Sequence, residues 1–181
     1  MIHEIAFKTD RLRVETWDQT LNSRGERKAL ATELSILLTP SVLKHLPEPL
    51  QLPNTDCTVE DWIKNRASES DVLTIRDAET TLVGLLILSV SHEEIFEEIF
   101  PATIHLGYLF SEPAWGKGYG TEIISGLISW FRNKGDAVQL FGGVEKENVA
   151  SARVLEKNGF KLNNTASNVE TNMFGLYIPA N

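Results

Sequence analysis

Three glycines at alternate positions carry the first hint of chemistry, in Trp115-Gly116-Lys117-Gly118-Tyr119-Gly120-Thr121. The apolar run Ile104–Phe110 before them reads as a strand, and the pattern from Glu122 to Asn133 reads as a helix. The glycines therefore fall where a strand hands over to a helix. Glycine tolerates positive φ and lets backbone come close to a ligand. The first N–H groups of a helix have no acceptor inside it and carry the positive end of its dipole. Strand, glycine turn and helix start together suit a phosphate group. The spacing is not the Gly-x-Gly-x-x-Gly of dinucleotide folds. Lys117 precedes Gly118, so no Gly-Lys-Ser/Thr phosphate loop occurs.

The elements that must position this turn follow from periodicity. Leu12, Val14 and Thr16 alternate with charged residues, as in a half-buried strand. Leu30, Ala31, Leu34 and Leu37/Leu38 share one face of a helix from Arg24 to Leu38, which Pro40 is expected to stop. Pro47, Pro49 and Pro53 mark an extended loop. Thr58 with Asp61 three residues on predicts a capped helix to about Glu69. Val72–Arg76 and Leu82–Ser91 read as strands, the second apolar enough to be covered on both faces. His92–Pro101 is an acidic and apolar insert, expected as a loop or one or two helical turns. Its His92, Glu93, Glu94, Glu97 and Glu98 lack a second His or Cys at ligand spacing, so no metal site is expected.

After the strand Thr103–Ser111, the helix buries Ile123, Ile124, Leu127, Ile128 and Phe131, and Lys134 and Gly135 end it. Ala137–Val144 is a strand. Asn148 N-caps a short helix that carries Leu155 and ends at Gly159, where Phe160 can pack back on Leu155. Phe160–Thr165 and Val169–Ile178 close as a hairpin. The order implies an α/β (α+β) architecture with a mixed sheet and helices on both faces.

Bulk properties bound the function. A chain of 181 residues suits one domain, 1–181, with a full core. A net charge of −8 argues against a nucleic-acid surface, which needs a basic stripe, and fits cationic or neutral substrates better. Cys57, the one cysteine, fits a reducing compartment. No apolar run is long enough to span a bilayer, and Met1–Ile5 lacks the layout of a secretory signal, so no membrane association and a cytoplasmic location are expected.

With the order of elements in place, two motifs coincide. The chain resembles the GNAT superfamily of acyl-CoA-dependent N-acyltransferases. The family's Gln/Arg-x-x-Gly-x-Gly/Ala motif corresponds to Trp115–Gly120, with Trp115 at the Gln/Arg position. The second motif corresponds to Asn148-Val149-Ala150-Ser151 running on to Asn158-Gly159-Phe160. Thr9–Arg13, Leu106-Gly107-Tyr108 and the glycine stretch look most like the branch containing ribosomal-protein-alanine N-acetyltransferases. The resemblance spans about the whole chain and is strongest from residue 104 to 160.

It implies a mixed, mostly antiparallel sheet of about seven strands, splayed between the strand Thr103–Ser111 and the strand that starts at Ala137. It implies acetyl-CoA as co-substrate, with pantetheine on the backbone of Leu109, Phe110 and Ser111. The pyrophosphate would then lie on the amides of Gly116, Lys117, Gly118, Tyr119, Gly120 and Thr121, and Asn148 would border the pantetheine. The implied partner is an amine acceptor, either a protein N-terminus or a small molecule, and the implied state is a monomer or homodimer.

Acetyl transfer needs the amine deprotonated, the oxyanion held and the leaving thiolate protonated. A strand-edge N–H near Leu109 or Phe110 suits the oxyanion. Relatives place a Tyr seven residues after the motif Asn. Here that position is Leu155, and Ser151 is the alternative proton donor, or else a residue that completes a helix start. Where several relatives carry Glu on the strand, this chain has His105. A neutral imidazole can accept a proton near neutral pH, and the alternative role is a packed histidine on a sheet face, the commoner one for a lone His. Glu112 is a weaker candidate. Trp62, Phe96 and Phe100 could line an acceptor pocket, with core packing the alternative for Trp62. The competing function is a GNAT-fold module that binds acyl-CoA as a sensor without turning it over.

Overall fold

A computed structural model of the chain describes residues 5–44, 46–47, 50–52, 58–91 and 102–181. The strands are β1 (Ala6–Lys8), β2 (Arg13–Thr16), β3 (Asp71–Arg76), β4 (Leu82–Ser91), β5 (Ala102–Phe110), β6 (Val138–Glu145), β7 (Lys161–Asn163) and β8 (Thr171–Ile178). The helices are α1 (Asp18–Asn22), α2 (Arg24–Leu37), α3 (Pro40–Leu43), α4 (Val59–Glu69), α5 (Tyr119–Lys134) and α6 (Val149–Lys157). The sheet has eight strands in the order β1-β2-β3-β4-β5-β6-β8-β7, so the α/β class and mixed sheet hold. The strand beyond the expected seven is β1, whose three residues pair with β2 from Ala6↔Glu15 to Lys8↔Arg13. Three residues are too few to show an alternating pattern. Phe96 and Phe100, and the acidic insert that holds them, lie outside the described residues, as does Cys57.

The chain divides into two compact units, Met1–Ile87 with Tyr108–Lys117, and Leu88–Gly107 with Gly118–Asn181. In the first, α2 buries Leu30, Ala31, Leu34 and Leu37, in one cluster with Trp17, Trp62 and Ile63. Trp62 is a core residue. It is 2% exposed, meets Trp17 edge to face at 6.3 Å, and donates its indole N–H to Leu50 O at 3.0 Å. Burying an indole this way keeps its one donor satisfied. Pro40 does more than stop α2. It opens α3 at a position where proline's missing N–H is harmless, and Thr39 caps that helix by accepting from Val42 N–H at 3.3 Å. Arg76 in β3 forms a two-pronged pair with Glu33 in α2, both bonds 2.7 Å. The hydrogen bonds from the guanidinium to the Glu33 carboxylate raise the guanidinium's pKa.

The capping box of α4 forms as its sequence predicts. Thr58 Oγ1 accepts from Asp61 N–H at 3.2 Å, and Asp61 Oδ2 accepts from Thr58 N–H at 3.2 Å and from its hydroxyl at 2.7 Å. The Thr58 hydroxyl, then its N–H, then Lys64 hold the Asp61 carboxyl below its ordinary 3.8. A depressed folded pKa stabilises the fold above the unfolded value, and that contribution is lost as pH falls through the folded one. An Asp61→Asn variant should therefore melt below the parent at neutral pH, with the gap starting to close as pH falls past about 3.8, in thermal melts against pH.

In the second unit, α5 buries Ile123, Ile124, Leu127, Ile128 and Phe131 and ends at Gly135, φ 83°, whose N–H donates to Phe131 O at 3.2 Å. Its start differs from expectation. It begins at Tyr119, so the end of the glycine stretch is already the first helical turn. The α6 terminus closes as a Schellman motif, with Phe160 N–H on Leu155 O at 3.2 Å and Gly159 N–H on Glu156 O at 3.0 Å. Gly142 in β6 lies under α6, where a Cβ would come within 2.9 Å of Leu155 Cδ1. The helix-covered face of β6 thus carries Val138, Leu140, Gly142 and Val144, and Phe141 points to the other. β6 pairs antiparallel with β8 along its length, from Val138↔Ile178 to Glu145↔Thr171.

Candidate active site

The end of β5 is fixed by its neighbours in the first unit. Leu109 and Phe110 bury their side chains, and Ser111 N–H donates to Val83 O in β4 at 2.9 Å. A short 3-10 turn, Glu112–Ala114, follows. Trp115 folds back so that its indole N–H donates to Phe110 O at 2.8 Å, while half of its surface (51%) stays exposed. This side chain therefore has a structural task at the position where relatives carry Gln or Arg. Glu112 accepts from Thr39 Oγ1 at 2.7 Å and so is tied to the start of α3 rather than to a reacting group.

The parallel ladder between β5 and β6 covers Ala102↔Val138 to His105↔Phe141 and stops there, although both strands continue. Splayed central strands need such an early end to pairing.

The glycine turn has the backbone its sequence requires. Gly116 and Gly118 take φ of 72° and 80°, a region costly for other residues. A Cβ on Gly116 would meet nothing within 4 Å, so the backbone there faces open space. Ser23, Thr39, Thr58 and Asn148 cap α2, α3, α4 and α6 with side-chain oxygens, whereas α5 opens on Gly118, which has no side chain. The first intrahelical bond of α5 is Glu122 N–H to Gly118 O at 3.1 Å, and the amides of 119–121 precede it at the positive end of the helix dipole. The turn can hold an anion.

In the second unit, Asn148 Oδ1 accepts from Ser151 N–H at 3.1 Å, which commits the oxygen to capping α6 and leaves the amide nitrogen as its donor. Ser151 lies in the first turn of α6, partly exposed. Leu155 is 1% exposed and packs on Gly142, so the position where relatives carry Tyr belongs to the core here. His105 is exposed and stacks on Phe141 with ring centroids 5.7 Å apart. It stands on the sheet face opposite the one Leu155 covers, so His105 and Ser151 are not brought into contact.

Two residues escaped the sequence reading, Trp115 as a hydrogen-bond donor and Gly84 in β4. The available signal for Gly84 was a glycine inside an apolar strand, which marks close approach of another backbone.

The sheet order, the ladder that ends at His105↔Phe141 and the glycine turn into α5 define an acetyltransferase fold. Residues 23–161 match the acetyltransferase (GNAT) domain family, and the chain belongs to it. Among solved structures, a GNAT-family acetyltransferase from Bacillus anthracis is similar at 18% identity, with 97% of this chain and 98% of that one covered and a TM-score of 0.66. RimL, a ribosomal L7/L12 alpha-N-protein acetyltransferase in complex with coenzyme A, is similar at 18% identity over 98% of this chain and 100% of that one, TM-score 0.70. The microcin C7 self-immunity acetyltransferase MccE, in complex with acetyl-CoA and AMP, is similar at 16% identity over 93% of each chain, TM-score 0.66. No curated protein matches the sequence. No helix among the described residues is long and apolar enough to cross a membrane.

Proposed function

We propose that this protein is an acetyl-CoA-dependent N-acetyltransferase that moves the acetyl group directly to a primary amine, with residues 1–181 acting as one catalytic module. The observation that carries this reading is the glycine turn, with Gly116 and Gly118 at positive φ and the uncapped start of α5 beside them, in a chain of the GNAT family. In this reading the pyrophosphate of coenzyme A lies on the amides of Gly116, Lys117, Gly118, Tyr119, Gly120 and Thr121. The pantetheine bonds the backbone at Leu109, Phe110 and Ser111, and the Asn148 amide nitrogen donates to it.

The chemistry needs no covalent enzyme intermediate. His105 accepts a proton from the acceptor ammonium, and the free amine adds to the thioester carbonyl. A backbone N–H at the end of β5 holds the oxyanion. The C–S bond then breaks, the Ser151 hydroxyl protonates the thiolate, and the second proton of the attacking nitrogen leaves to solvent, which restores the serine's proton. The resemblance to the ribosomal-protein branch makes the α-amine of a protein N-terminus the first acceptor to test, ahead of small-molecule amines. The expected setting is the cytoplasm, with the protein as a monomer or homodimer.

Calorimetry with acetyl-CoA tests the reading. Saturable one-site binding is expected, and no heat at millimolar ligand would end it. Thiol release in a panel of N-terminal peptides and small amines then separates an enzyme from an acyl-CoA sensor. The burial of Leu155, which removes the relatives' Tyr position from the site, is the observation that keeps the sensor in view.

A further inference from the structure

Gly84 is buried in β4 within a run of large apolar residues. A Cβ there would lie 2.4 Å from the backbone oxygen of Leu109 and 2.7 Å from Cδ1 of Phe110. Gly142 is also tight, but what a Cβ would meet there is the tip of the Leu155 side chain at 2.9 Å, which can turn aside. At Gly84 the obstacle is a peptide. The Leu109 carbonyl occupies space that any other residue at position 84 would claim.

The direction of the next amide follows. A trans peptide sets its N–H opposite its carbonyl, so the Phe110 N–H points the other way from the Leu109 oxygen. The following amide agrees, because Ser111 N–H donates back to Val83 O in β4 and successive amides along a strand alternate in direction. Phe110 therefore aims its N–H away from β4. Its carbonyl is held by the Trp115 indole at 2.8 Å, so the peptide groups on both sides of Phe110 are fixed, one by a side chain that is absent and one by a side chain that is present.

We infer that Gly84 is a positioning residue for acetyl transfer: by yielding its Cβ space to the Leu109 carbonyl, it sets the tilt of the Leu109–Phe110 peptide and aims the Phe110 N–H at the thioester oxygen. This rests on the acetyl-CoA reading above. Gly84 touches no substrate and acts through that peptide. Charge develops on the thioester oxygen as the amine adds, and a donor helps only if it is already placed where the oxyanion forms. An alanine at 84 must push the Leu109 carbonyl out by roughly 1 Å to reach ordinary contact, and a misplacement of that size costs about 100-fold in rate.

The test is Gly84→Ala, compared with the parent by thiol release, calorimetry and thermal melting. kcat should fall about 100-fold while KM and Kd for acetyl-CoA stay within about threefold, because the glycine turn is untouched. A folded Gly84→Ala protein with parental kcat overturns the inference, as does one whose loss lies wholly in KM. If that variant does not fold, the parent protein decides. With phenylalanine labelled with nitrogen-15, the Phe110 amide is identified by its loss in Phe110→Leu and followed as acetyl-CoA is added. A shift at saturation supports the inference, and a signal that stays still while the protein saturates overturns it. Failure of the parent to bind acetyl-CoA at all strikes the proposed function instead.

Discussion

A Gly118→Val variant is expected to lose acetyl-CoA binding while keeping its fold. Gly118 has φ of 80°, where a β-branched residue is an outlier, so the turn must rearrange to accept valine. Under the proposed function the new side chain would also fill the space the pyrophosphate needs. Hydrogen bonds to a charged group contribute about 1.5–3 kcal/mol each. Losing two would weaken binding by about 100-fold or more. The buried face of α5 begins beyond the turn at Ile123, so circular dichroism should report a folded protein. Calorimetry that returned the parental Kd would move the pyrophosphate away from this turn altogether.

The second large effect is expected at His105. The residue is exposed and its ring is stacked on Phe141 at 5.7 Å, which orients it. A positioned general base contributes about 100-fold or more. His105→Ala should lower kcat by at least that lower figure and leave the acetyl-CoA KM within about threefold. Because the residue stands on the sheet face opposite Leu155, its removal disturbs no packing under α6. An unchanged turnover number would reduce His105 to a residue that merely packs on Phe141 and pass the proton to solvent or the acceptor's own equilibrium.

What the sequence made legible was what is local. The α4 capping box needs only Thr58 and Asp61, three positions apart, and the α6 terminus needs only Leu155, Gly159 and Phe160. The buried stripe of α5 is five large side chains at helical spacing. The start of that helix is not legible, because Tyr119, Gly120 and Thr121 carry no apolar period and Gly118 offers no capping side chain. Contacts made across the chain were not legible. Trp115 closes on Phe110 through a turn whose shape depends on Pro113 and on the tie from Glu112 to Thr39. Gly84 answers to a carbonyl on another strand, and nothing beside it in sequence says which. The expected site residues on the glycine turn lie in one stretch, whereas His105 and Ser151 depend on which face of the second unit's sheet each occupies.

Asn158 couples the two helices of that unit. Its carboxamide nitrogen donates to Val154 O at 2.9 Å within α6 and to Thr121 O at 3.3 Å in the first turn of α5. Elements joined at their ends tend to open together, and a ligand that binds only the closed form slows that opening. Saturating acetyl-CoA should therefore slow amide hydrogen exchange in the last turn of α6 as well as at the start of α5. In an Asn158→Leu protein, exchange in α6 should become indifferent to the ligand. In the parent, by contrast, the two helices would be a single cooperative unit whose lifetime, rather than its shape, records whether acetyl-CoA is bound.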